Sequence, residues 1–445
     1  MKTFSLAPPL TSIVEAIAAA GGRALLVGGW VRDHLLGIDS KDLDFEVFGL
    51  ELGPLERVLR RFGRVQRVGK QFGVLRIQGL DVDFSLPRRD NKIGSGHRGF
   101  RIETDPTMSF HDAALRRDLT VNSMGFDPET QELLDPHNGQ ADLASRTLRA
   151  TSRLHFAEDP LRGLRAIQFA ARLEMRATQE LIELCAKLDL SELPKERFRT
   201  EFDKWFSRGV TPSLGLELLL SSRLNRHFPG LESMRTEDAY ALGCKLDAIA
   251  QEQALPTNVR IALSLATLAS YFQREPISEI VRNEPQATGP WHPTQRNETA
   301  GALHLQFLAT IGQPIKMQEQ SMRWLQTIEW LRDEPEPALA DGEMRRLATY
   351  LIGGELSLRH WLVGIKDIGC GSESWCRELE TRGEALNCLN APEPDAVQGR
   401  DLIDRGLRPG PKFAAILGAC RQIQDDEGIK DIDCLIDRVL LAKGA

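Results

Sequence analysis

The N-terminal part of the chain combines apolar patterns of two different periods. An apolar run at 24–29 ends in two glycines, and the alternation at 42–49 is typical of a strand with one buried face. Residues 73–87 predict two strands, or one strand that breaks at Gly79. Apolar positions at helical spacing over 52–63 predict a helix between these strands. Strands and helices therefore alternate in this part.

From about residue 155 to the C-terminus, the apolar positions recur at the helical period of about 3.6 residues. Stretches rich in proline and polar residues interrupt this pattern at 273–297, 333–343 and 390–399, as linkers or loops would. We therefore expect an α/β head of about 145 residues, followed by an all-helical remainder.

Composition narrows the class of protein. Hydrophobic residues make up 42% of the 445 positions and charged residues 27%, which is typical of globular proteins and excludes a mostly disordered chain. At about 100–200 residues per domain, the length suggests two to four domains. No window approaches the roughly 20 apolar residues of a membrane-spanning helix, and the N-terminus lacks the pattern of a signal peptide.

Cysteine usage and charge bear on location and partners. The seven cysteines form no CxxC pair, so neither a zinc site nor a disulfide framework is indicated, and a cytoplasmic protein with reduced thiols fits best. The net charge of −7 argues at first against a nucleic-acid partner, but the acidic excess lies in 231–445. A protein that releases its nucleic acid after each reaction need not be basic overall, because phosphate contacts mainly set affinity.

The first candidate site is the glycine pair Gly28–Gly29, which follows an apolar strand and precedes a short helix. Backbone N–H groups at such a turn can bind an anion, and glycine lets a phosphate approach closely. Arg32, one turn into the helix, could pair with that phosphate. Glycine pairs are also common in ordinary turns, so a purely structural turn stays open for this motif alone.

The second candidate site is a carboxylate cluster. Asp42 and Asp44 are two residues apart on a strand, so both point to one face, with Cα atoms roughly 7 Å apart. Neighbouring carboxylates favour a bound cation, and oxygen ligands suit Mg²⁺ that bridges to substrate phosphates. Asp83, or alternatively Asp81, could supply a third carboxylate. A solvated edge strand is the alternative interpretation.

The third candidate lies within 114–127, where polar groups precede an apolar run. Charged or hydrogen-bonding side chains occupy five of seven positions: Arg116, Arg117, Asp118, Thr120 and Asn122. A helix cap or a surface salt bridge would need only one or two such residues. The density therefore favours binding, with a structural role as the alternative.

The fourth candidate is a helix over 156–173, on which Asp159, Arg162 and Arg165 recur at about one-turn intervals on one face. Cytosine and adenine both present an amino donor beside a ring-nitrogen acceptor on their pairing edge, whereas uracil and guanine present the reverse. A carboxylate and a guanidinium at the right distance would therefore accept C and A and reject U and G. A salt bridge on the helix surface is the alternative.

These motifs occur in a recognisable order, and the sequence resembles the class II tRNA nucleotidyltransferase (CCA-adding enzyme) and bacterial poly(A) polymerase family. The matching stretches are GGWVRDHLLG with DLD, RRDLTVN, DPHNGQADL, EDPLRGLR, KERFRTEFDK and, near the C-terminus, GRDLIDRGLRPGPKFAAIL. The dense part of the resemblance covers about residues 22–210, with a further patch at 399–420. Five such motifs in the family order are far more specific than any one of them.

The resemblance implies an α+β fold, in which a polymerase-β-like head with a mixed sheet is followed by an all-helical neck, body and tail. The implied boundaries are 1–145 for the catalytic head, 146–210 for the base-recognising neck, 211–275 for the body and 276–445 for the tRNA-binding tail. The tail and body would grip the acceptor arm of tRNA. The segment 258–272 has no His–Asp pair, so we expect no HD hydrolase activity.

The resemblance also implies roles for the candidate residues. Asp42 and Asp44 would hold Mg²⁺, as two ions of which one can arrive with the nucleotide. The carboxylate cluster, rather than the resemblance, adds Asp83 to the catalytic set, with Asp81 as the alternative. The nucleotide would be bound by Gly28, Gly29, Arg32, Arg116, Arg117, Asp118, Asn122, Asp159, Arg162 and Arg165. Gln168 stands where many relatives carry a further arginine, so one cationic contact is missing or replaced.

The implied activity is template-free addition of C, C and A to the 3′ end of tRNA from CTP and ATP, with release of pyrophosphate. A poly(A) polymerase and an enzyme that adds only CC or only A are the alternatives within the family. A catalytically inactive tRNA-binding protein would be expected to lack Asp42 or Asp44, and the sequence retains both.

Overall fold

The computed structural model describes residues 6–40, 43–68, 73–92, 100–232, 234, 236–272 and 298–443. The chain divides into two compact units. Unit 1 comprises Met1–Trp205 and Leu214–His227, and unit 2 comprises Phe206–Ser213 and Phe228–Ala445. The division into head, neck, body and tail stays a prediction, and the linker expected at 273–297 lies outside the described residues.

Unit 1 contains a mixed sheet of seven strands in the order β3-β4-β5-β2-β1-β8-β9. The strands are β1 Arg23–Val27, β2 Leu43–Phe48, β3 Val65–Val68, β4 Val74–Ile77, β5 Val82–Ser85, β6 Arg88–Lys92, β7 Phe100–Thr104, β8 Gly125–Asp127 and β9 Glu132–Leu134. Strands β2 and β5 are parallel, and β6 pairs with β7 in a separate hairpin. Two strands at 73–87 are confirmed, with Gly79 between them at a φ of +90°.

The register of strands β2, β4 and β5 defines two faces of the sheet, although both Phe45 and its neighbour Glu46 are buried. Phe45 pairs with Phe84, and Phe84 with Leu75, on what we call the apolar face. The intervening positions form the polar face, where Asp44 pairs with Asp83. All three apolar residues are fully buried, so the core of the head lies against the apolar face.

The helices between residues 10 and 221 lie wholly or mainly in unit 1. They are α1 Leu10–Ala19, α2 Gly29–Leu35, α3 Leu52–Leu59, α4 Phe110–Leu115, α5 Gly139–Ala144, α6 Arg153–Phe156, α7 Leu161–Leu173, α8 Gln179–Ala186, α9 Lys195–Arg208 and α10 Pro212–Ser221, with 3₁₀ turns at Thr120–Asn122 and Leu224–His227. Salt bridges from Glu56 to Arg60 and Arg67 place α3 over the apolar face, since Arg67 pairs with Leu75 there.

One detail of the predicted neck differs from an all-helical segment. The short strands β10 Thr147–Leu148 and β11 Arg176–Ala177 pair in parallel. Helix α7 ends at Leu173, and the next residue, Glu174, adopts the left-handed conformation. This reversal brings the N–H of Arg176 to the carbonyl of Arg146 at 3.0 Å. Periodicity does not predict strands of only two residues, because each such strand forms through pairing with a segment that is distant in the sequence.

All regular secondary structure among the described residues of unit 2 is helical. Its helices are α11 Thr236–Gln251, α12 Thr257–Ala269, α13 Glu298–Thr310, α14 Ile315–Asp333, α15 Asp341–Ile352, α16 Leu358–Asp367, α17 Glu373–Ala385, α18 Gly399–Asp404, α19 Lys412–Glu427 and α20 Ile432–Lys443. The ring of Trp361 stacks on Trp330 at 6.4 Å and meets Trp375 edge-on at 6.2 Å. The predicted α+β class with a helical C-terminal region is confirmed.

None of the described helices is both long and apolar enough to span a membrane. All seven cysteines lie in described segments, and no disulfide joins them.

Candidate nucleotide-binding and catalytic site

The glycine turn connects β1 to α2 at the edge of the polar face. Gly28 has a φ of +74°, which an L side chain rarely adopts. A Cβ on Gly28 would lie 3.1 Å from Nη1 of Arg117, and one on Gly29 would lie 3.4 Å from Nη2 of Arg32. Both glycines therefore admit a close approach of guanidinium groups that came from separate candidate motifs.

Two of the predicted catalytic carboxylates lie side by side on the polar face. Asp44 and Asp83 are paired residues of the parallel strands β2 and β5. Asp83 has 29% of its side chain exposed and accepts from Nε of Arg76 at 2.6 Å, whereas Asp81 precedes β5 and is 88% exposed. The register therefore brings Asp83, rather than Asp81, opposite Asp44.

The fit of this site to a metal can be judged from its donors. Carboxylate oxygens of Asp44 and Asp83 are the hard ligands that Mg²⁺ prefers, so the residues present fit such an ion. Asp42, the other predicted ligand, lies outside the described residues. In the part of the chain that the structure describes, no group of three or more His, Cys, Asp or Glu could hold a metal ion.

Sequence reasoning missed Glu46, which follows Asp44 by two residues on the polar face. Its side chain is completely buried, and its two oxygens accept from Nη2 of Arg116 at 2.6 Å and Nη2 of Arg117 at 3.2 Å. Burial alone would raise the pKa of Glu46, but the charges of Arg117 and Arg116 outweigh it and hold that pKa below its ordinary value. The alternation that aligned Asp42 with Asp44 extends to Glu46 and could have identified it.

Arg32 lies beneath the glycine turn, with 2% of its surface exposed. Its Nη2 donates to Asp33 at 2.7 Å, its Nη1 donates to Asn122, and its guanidinium lies 5.1 Å from the ring centre of Phe169. Burial lowers the pKa of Arg32. These contacts stabilise the turn from within the protein, and a direct contact of Arg32 with a triphosphate stays a prediction.

Asp118 is the buried centre of the third motif. It accepts from Nε of Arg165 at 2.6 Å, from Nδ2 of Asn122 at 3.0 Å and from its neighbouring backbone N–H at 2.9 Å. Burial would raise the pKa of Asp118, but the charge of Arg165 and these hydrogen bonds hold it below its ordinary value. Since Asn122 also binds Arg32, a continuous polar network runs from the glycine turn to helix α7.

Thr120 and the DPHNGQADL stretch have a supporting role. The hydroxyl of Thr120 donates to Asp142 at 2.7 Å. Asp135 accepts from the backbone N–H groups of Gly139 at 2.6 Å and of Gln140 at 2.9 Å, which caps helix α5. A Cβ on Gly139 would lie 2.5 Å from the carbonyl oxygen of Thr120, so this glycine permits the two segments to pack.

The structure brings Asp159 and Arg162 together at the start of α7 but gives them separate partners. Asp159 accepts from the N–H of Leu161 at 3.0 Å and pairs with Nη2 of Arg197 at 2.9 Å. Arg162 donates to the carbonyl oxygens of His155 and Arg116, each at 2.5 Å. Arg197 lies in the KERFRTEFDK stretch, to which sequence reasoning gave no role.

The sequence of the head is similar to that of known proteins. Residues 24–149 match the family described as the poly A polymerase head domain. A CCA-adding enzyme of Marinobacter nauticus is 39% identical over 186 residues, which are 40% of this chain and 48% of the relative. A multifunctional CCA protein of Haemophilus ducreyi is 38% identical over 186 residues, which are 40% of this chain and 44% of the relative. The chain thus spans about half the length of the curated relatives it matches.

Solved structures extend the likeness along the chain. The CCA-adding enzyme of Bacillus stearothermophilus in complex with CTP has a TM-score of 0.70 at 21% identity, covering 99% of this chain and all of that one. The CCA-adding enzyme of Thermotoga maritima complexed with tRNA has a TM-score of 0.62 at 17% identity, covering 98% and 96% of the two chains.

Residues 24–149, which include the paired carboxylates and the glycine turn, are therefore a head of the poly A polymerase type. The whole chain has the fold of the CCA-adding enzymes. The resemblance to the class II tRNA nucleotidyltransferase and poly(A) polymerase family is confirmed.

Proposed function

We propose that this protein is a template-free RNA nucleotidyltransferase that adds C, C and A to the 3′ end of tRNA from CTP and ATP. The observation that carries the proposal is the pairing of Asp44 with Asp83 on the polar face, beside a glycine turn over which Arg117 lies. Relatives that share the head are named CCA-adding enzyme or multifunctional CCA protein, which supports the same reaction here.

In the proposed reaction, the 3′-hydroxyl of the RNA attacks the α-phosphate of the nucleotide, and pyrophosphate leaves. Asp42, Asp44 and Asp83 would hold two Mg²⁺ ions, one of them brought by the nucleotide, which supply Lewis-acid activation of the phosphate. Gly28 and Gly29 let the phosphates approach the backbone, and Arg116 and Arg117 offset their charge.

Base selection would come from the start of α7. Asp159 would accept from the exocyclic amine that C and A share, and Arg162 would donate to the adjacent ring nitrogen. The ion pair with Arg197 supports this role because it fixes the orientation of the Asp159 carboxylate. Arg165 supports the same helix through Asp118.

The proposed partner is the acceptor arm of tRNA, held in part by the helices of unit 2, and the proposed location is the cytoplasm. The absence of disulfides among the cysteines, all of them described, is consistent with a reducing compartment. A poly(A) polymerase is the second candidate, since the matching head family carries that name.

Defined tRNA ends distinguish these activities. We would incubate the protein and Mg²⁺ with three transcripts that lack the whole CCA end, end after the first C or end after the second C, supplying each labelled nucleotide separately. CCA addition predicts C on the first two transcripts and a single A on the third. Long A tracts on every transcript would instead establish a poly(A) polymerase, and no incorporation would refute the proposal.

Replacing Asp159 by Ala tests base selection. Each unpaired buried polar group costs about 1–3 kcal/mol, and UTP mismatches both contacts, so the pair would give roughly two to four decades of discrimination. Asp159→Ala should lower kcat/KM for CTP and ATP and relax selection against UTP and GTP by about 10–100-fold. Glu158→Ala is the matched control, because Glu158 contacts His155 instead. An unchanged preference for CTP and ATP in Asp159→Ala would make the residue a simple salt-bridge partner.

A further inference from the structure

We propose that Glu46 is a positioning residue that holds Arg116 and Arg117 at a fixed place relative to Asp44, so that both arginines meet the nucleotide's phosphates. This inference rests on the proposed nucleotidyl transfer and assigns it a residue that acts through the arginines. The carboxylate of Glu46 is fully buried and bridges one guanidinium with each oxygen, at 2.6 and 3.2 Å.

The two arginines retain donor capacity after binding Glu46. Each guanidinium has five N–H groups, and Nε of both Arg116 and Arg117 is buried without a hydrogen-bond partner among the described residues. Their side chains are 19% and 17% exposed, so part of each group reaches solvent. Arg117 also lies against Gly28, where a phosphate could approach. The solvent-facing part of each guanidinium, rather than its buried Nε, can therefore meet an anion that enters from solvent.

Strand β2 fixes the distance between this clamp and the reaction centre. Asp44 and Glu46 are two residues apart on the same face, which separates their Cα atoms by roughly 7 Å. Arg116 is held a second time, because its carbonyl oxygen accepts from Nη2 of Arg162. Glu46 therefore links the strand that carries a catalytic carboxylate to the arginine that α7 holds.

A second glutamate in the same unit provides a matched control. Glu56 also bridges two arginines, with Nη2 of Arg60 at 2.7 Å and Nη2 of Arg67 at 2.5 Å. Those arginines are 64% and 60% exposed, and the pair lies over the apolar face, away from Asp44. Replacing Glu56 by Gln makes the same chemical change in the same kind of bridge without touching the polar face.

The experiment compares wild type, Glu46→Gln and Glu56→Gln, below the melting temperature of each protein. We would measure the Kd for CTP without RNA, then kcat and KM for ATP on tRNA that ends after the second C. Glu46→Gln should raise the Kd and the nucleotide KM by about 10-fold or more, because two charged contacts lose their orientation, while the KM for tRNA stays unchanged. Glu56→Gln should match wild type within about twofold.

Two further variants keep the inference falsifiable if Glu46→Gln folds poorly. Glu46→Asp retains the charge but is too short to reach both guanidinium groups, so it should raise the nucleotide KM less than Gln does. When Arg116 and Arg117 are both replaced by Met, adding Glu46→Gln should cause no further loss of nucleotide binding. An undiminished loss in that background, or a wild-type Kd and KM in both Glu46 variants, would overturn the inference.

The same measurements separate this inference from the proposed function. If wild type incorporates neither C nor A, the proposed function fails, while the Kd for CTP still decides whether Glu46 orients a phosphate-binding pair. If wild type is active and the Glu46 variants bind nucleotide normally, only the positioning role fails.

Discussion

On strands β2 and β5, residues that are neighbours in sequence have different roles: one face packs into the core, and the other carries the carboxylates of the proposed site. Phe45 and Phe84 are fully buried, and their rings stack at 5.2 Å with 8° between the planes. Asp44 and Asp83, one position earlier in each strand, pair on the other face. A shift of one residue thus separates the groups that stabilise the sheet from those that carry the proposed chemistry.

The energetic contrast between the faces follows from their partners. Burial of a phenylalanine side chain contributes about 1.5–3 kcal/mol, and an aromatic pair adds about 0.5–1.5 kcal/mol. Like charges at directly opposite positions destabilise a sheet instead. Arg76 offsets part of that repulsion through its contact with Asp83. The Asp44–Asp83 pair therefore contributes less to the stability of the sheet than the stacked phenylalanines do, as expected of carboxylates that serve a reaction.

The largest expected effect is the loss of activity when a polar-face carboxylate is removed. Asp44→Ala and Asp83→Ala should each lower incorporation of CTP and ATP by at least about 10³-fold, because both carboxylates belong to the proposed metal site. The melting temperature should stay equal or rise, since one of two facing charges is gone. We predict the same pattern for Asp42→Ala. Activity assays and thermal unfolding on the same samples measure both effects.

Asp81→Ala is the control for this comparison, because its side chain is 88% exposed and lies outside β5. It should retain wild-type incorporation. Loss of activity in Asp81→Ala together with an active Asp83→Ala would show that the third carboxylate is Asp81. A folded, fully active Asp44→Ala would contradict the claim that the polar face carries the catalytic carboxylates.

Local periodicity predicted the strands and their two faces, because an alternation of two residues belongs to one segment of the chain. It could not separate Asp81 from Asp83, which point to the same face; the register with β2 distinguished them. Periodicity also could not predict contacts between residues that are distant in the sequence. Arg32 binds Asn122, and Asp159 binds Arg197, through contacts that only the folded chain creates.

Loss of the buried carboxylate of Asp118 should lower the stability of the protein, whereas loss of the Asp44 carboxylate should not. Asp118→Asn leaves the charge of Arg165 without its partner, and breaking such a buried pair costs about 3–5 kcal/mol. Arg165 is 33% exposed, which reduces the expected loss to about 2–3 kcal/mol, measured by denaturant unfolding of the full chain. Asp118→Asn with wild-type stability would contradict the structural role of this pair.

The pH dependence of the same variant has a defined sign. Because Arg165 and Asn122 hold the pKa of Asp118 below its ordinary value, the pair contributes its stability above about pH 4. That contribution is lost as the pH falls through the lower pKa of the folded state. The difference in stability between wild type and Asp118→Asn should therefore shrink in acid, and a constant difference would exclude ionisation of Asp118 as its source.

On the apolar face, Phe84→Leu should reduce stability with little effect on the reaction. A smaller side chain loses apolar burial and the stacked contact with Phe45, which together amount to about 1–2 kcal/mol. Incorporation per folded molecule should remain within about threefold of wild type, because Asp83 keeps its place in the backbone register. A loss of activity as large as that of Asp83→Ala would show that the two faces are not separable.

The smallest expected effect concerns Arg76, whose side chain is 41% exposed. Its contact with Asp83 is open to solvent, so Arg76→Gln should leave the melting temperature nearly unchanged. Removing this cation should lower the Mg²⁺ concentration needed for half-maximal incorporation, since an arginine and a metal ion compete for the same carboxylate. Titration of Mg²⁺ against the melting temperature gives an independent readout, and Arg60→Gln is the control on the apolar face. A higher Mg²⁺ requirement in Arg76→Gln would instead mean that Arg76 orients the Asp83 carboxylate for metal binding.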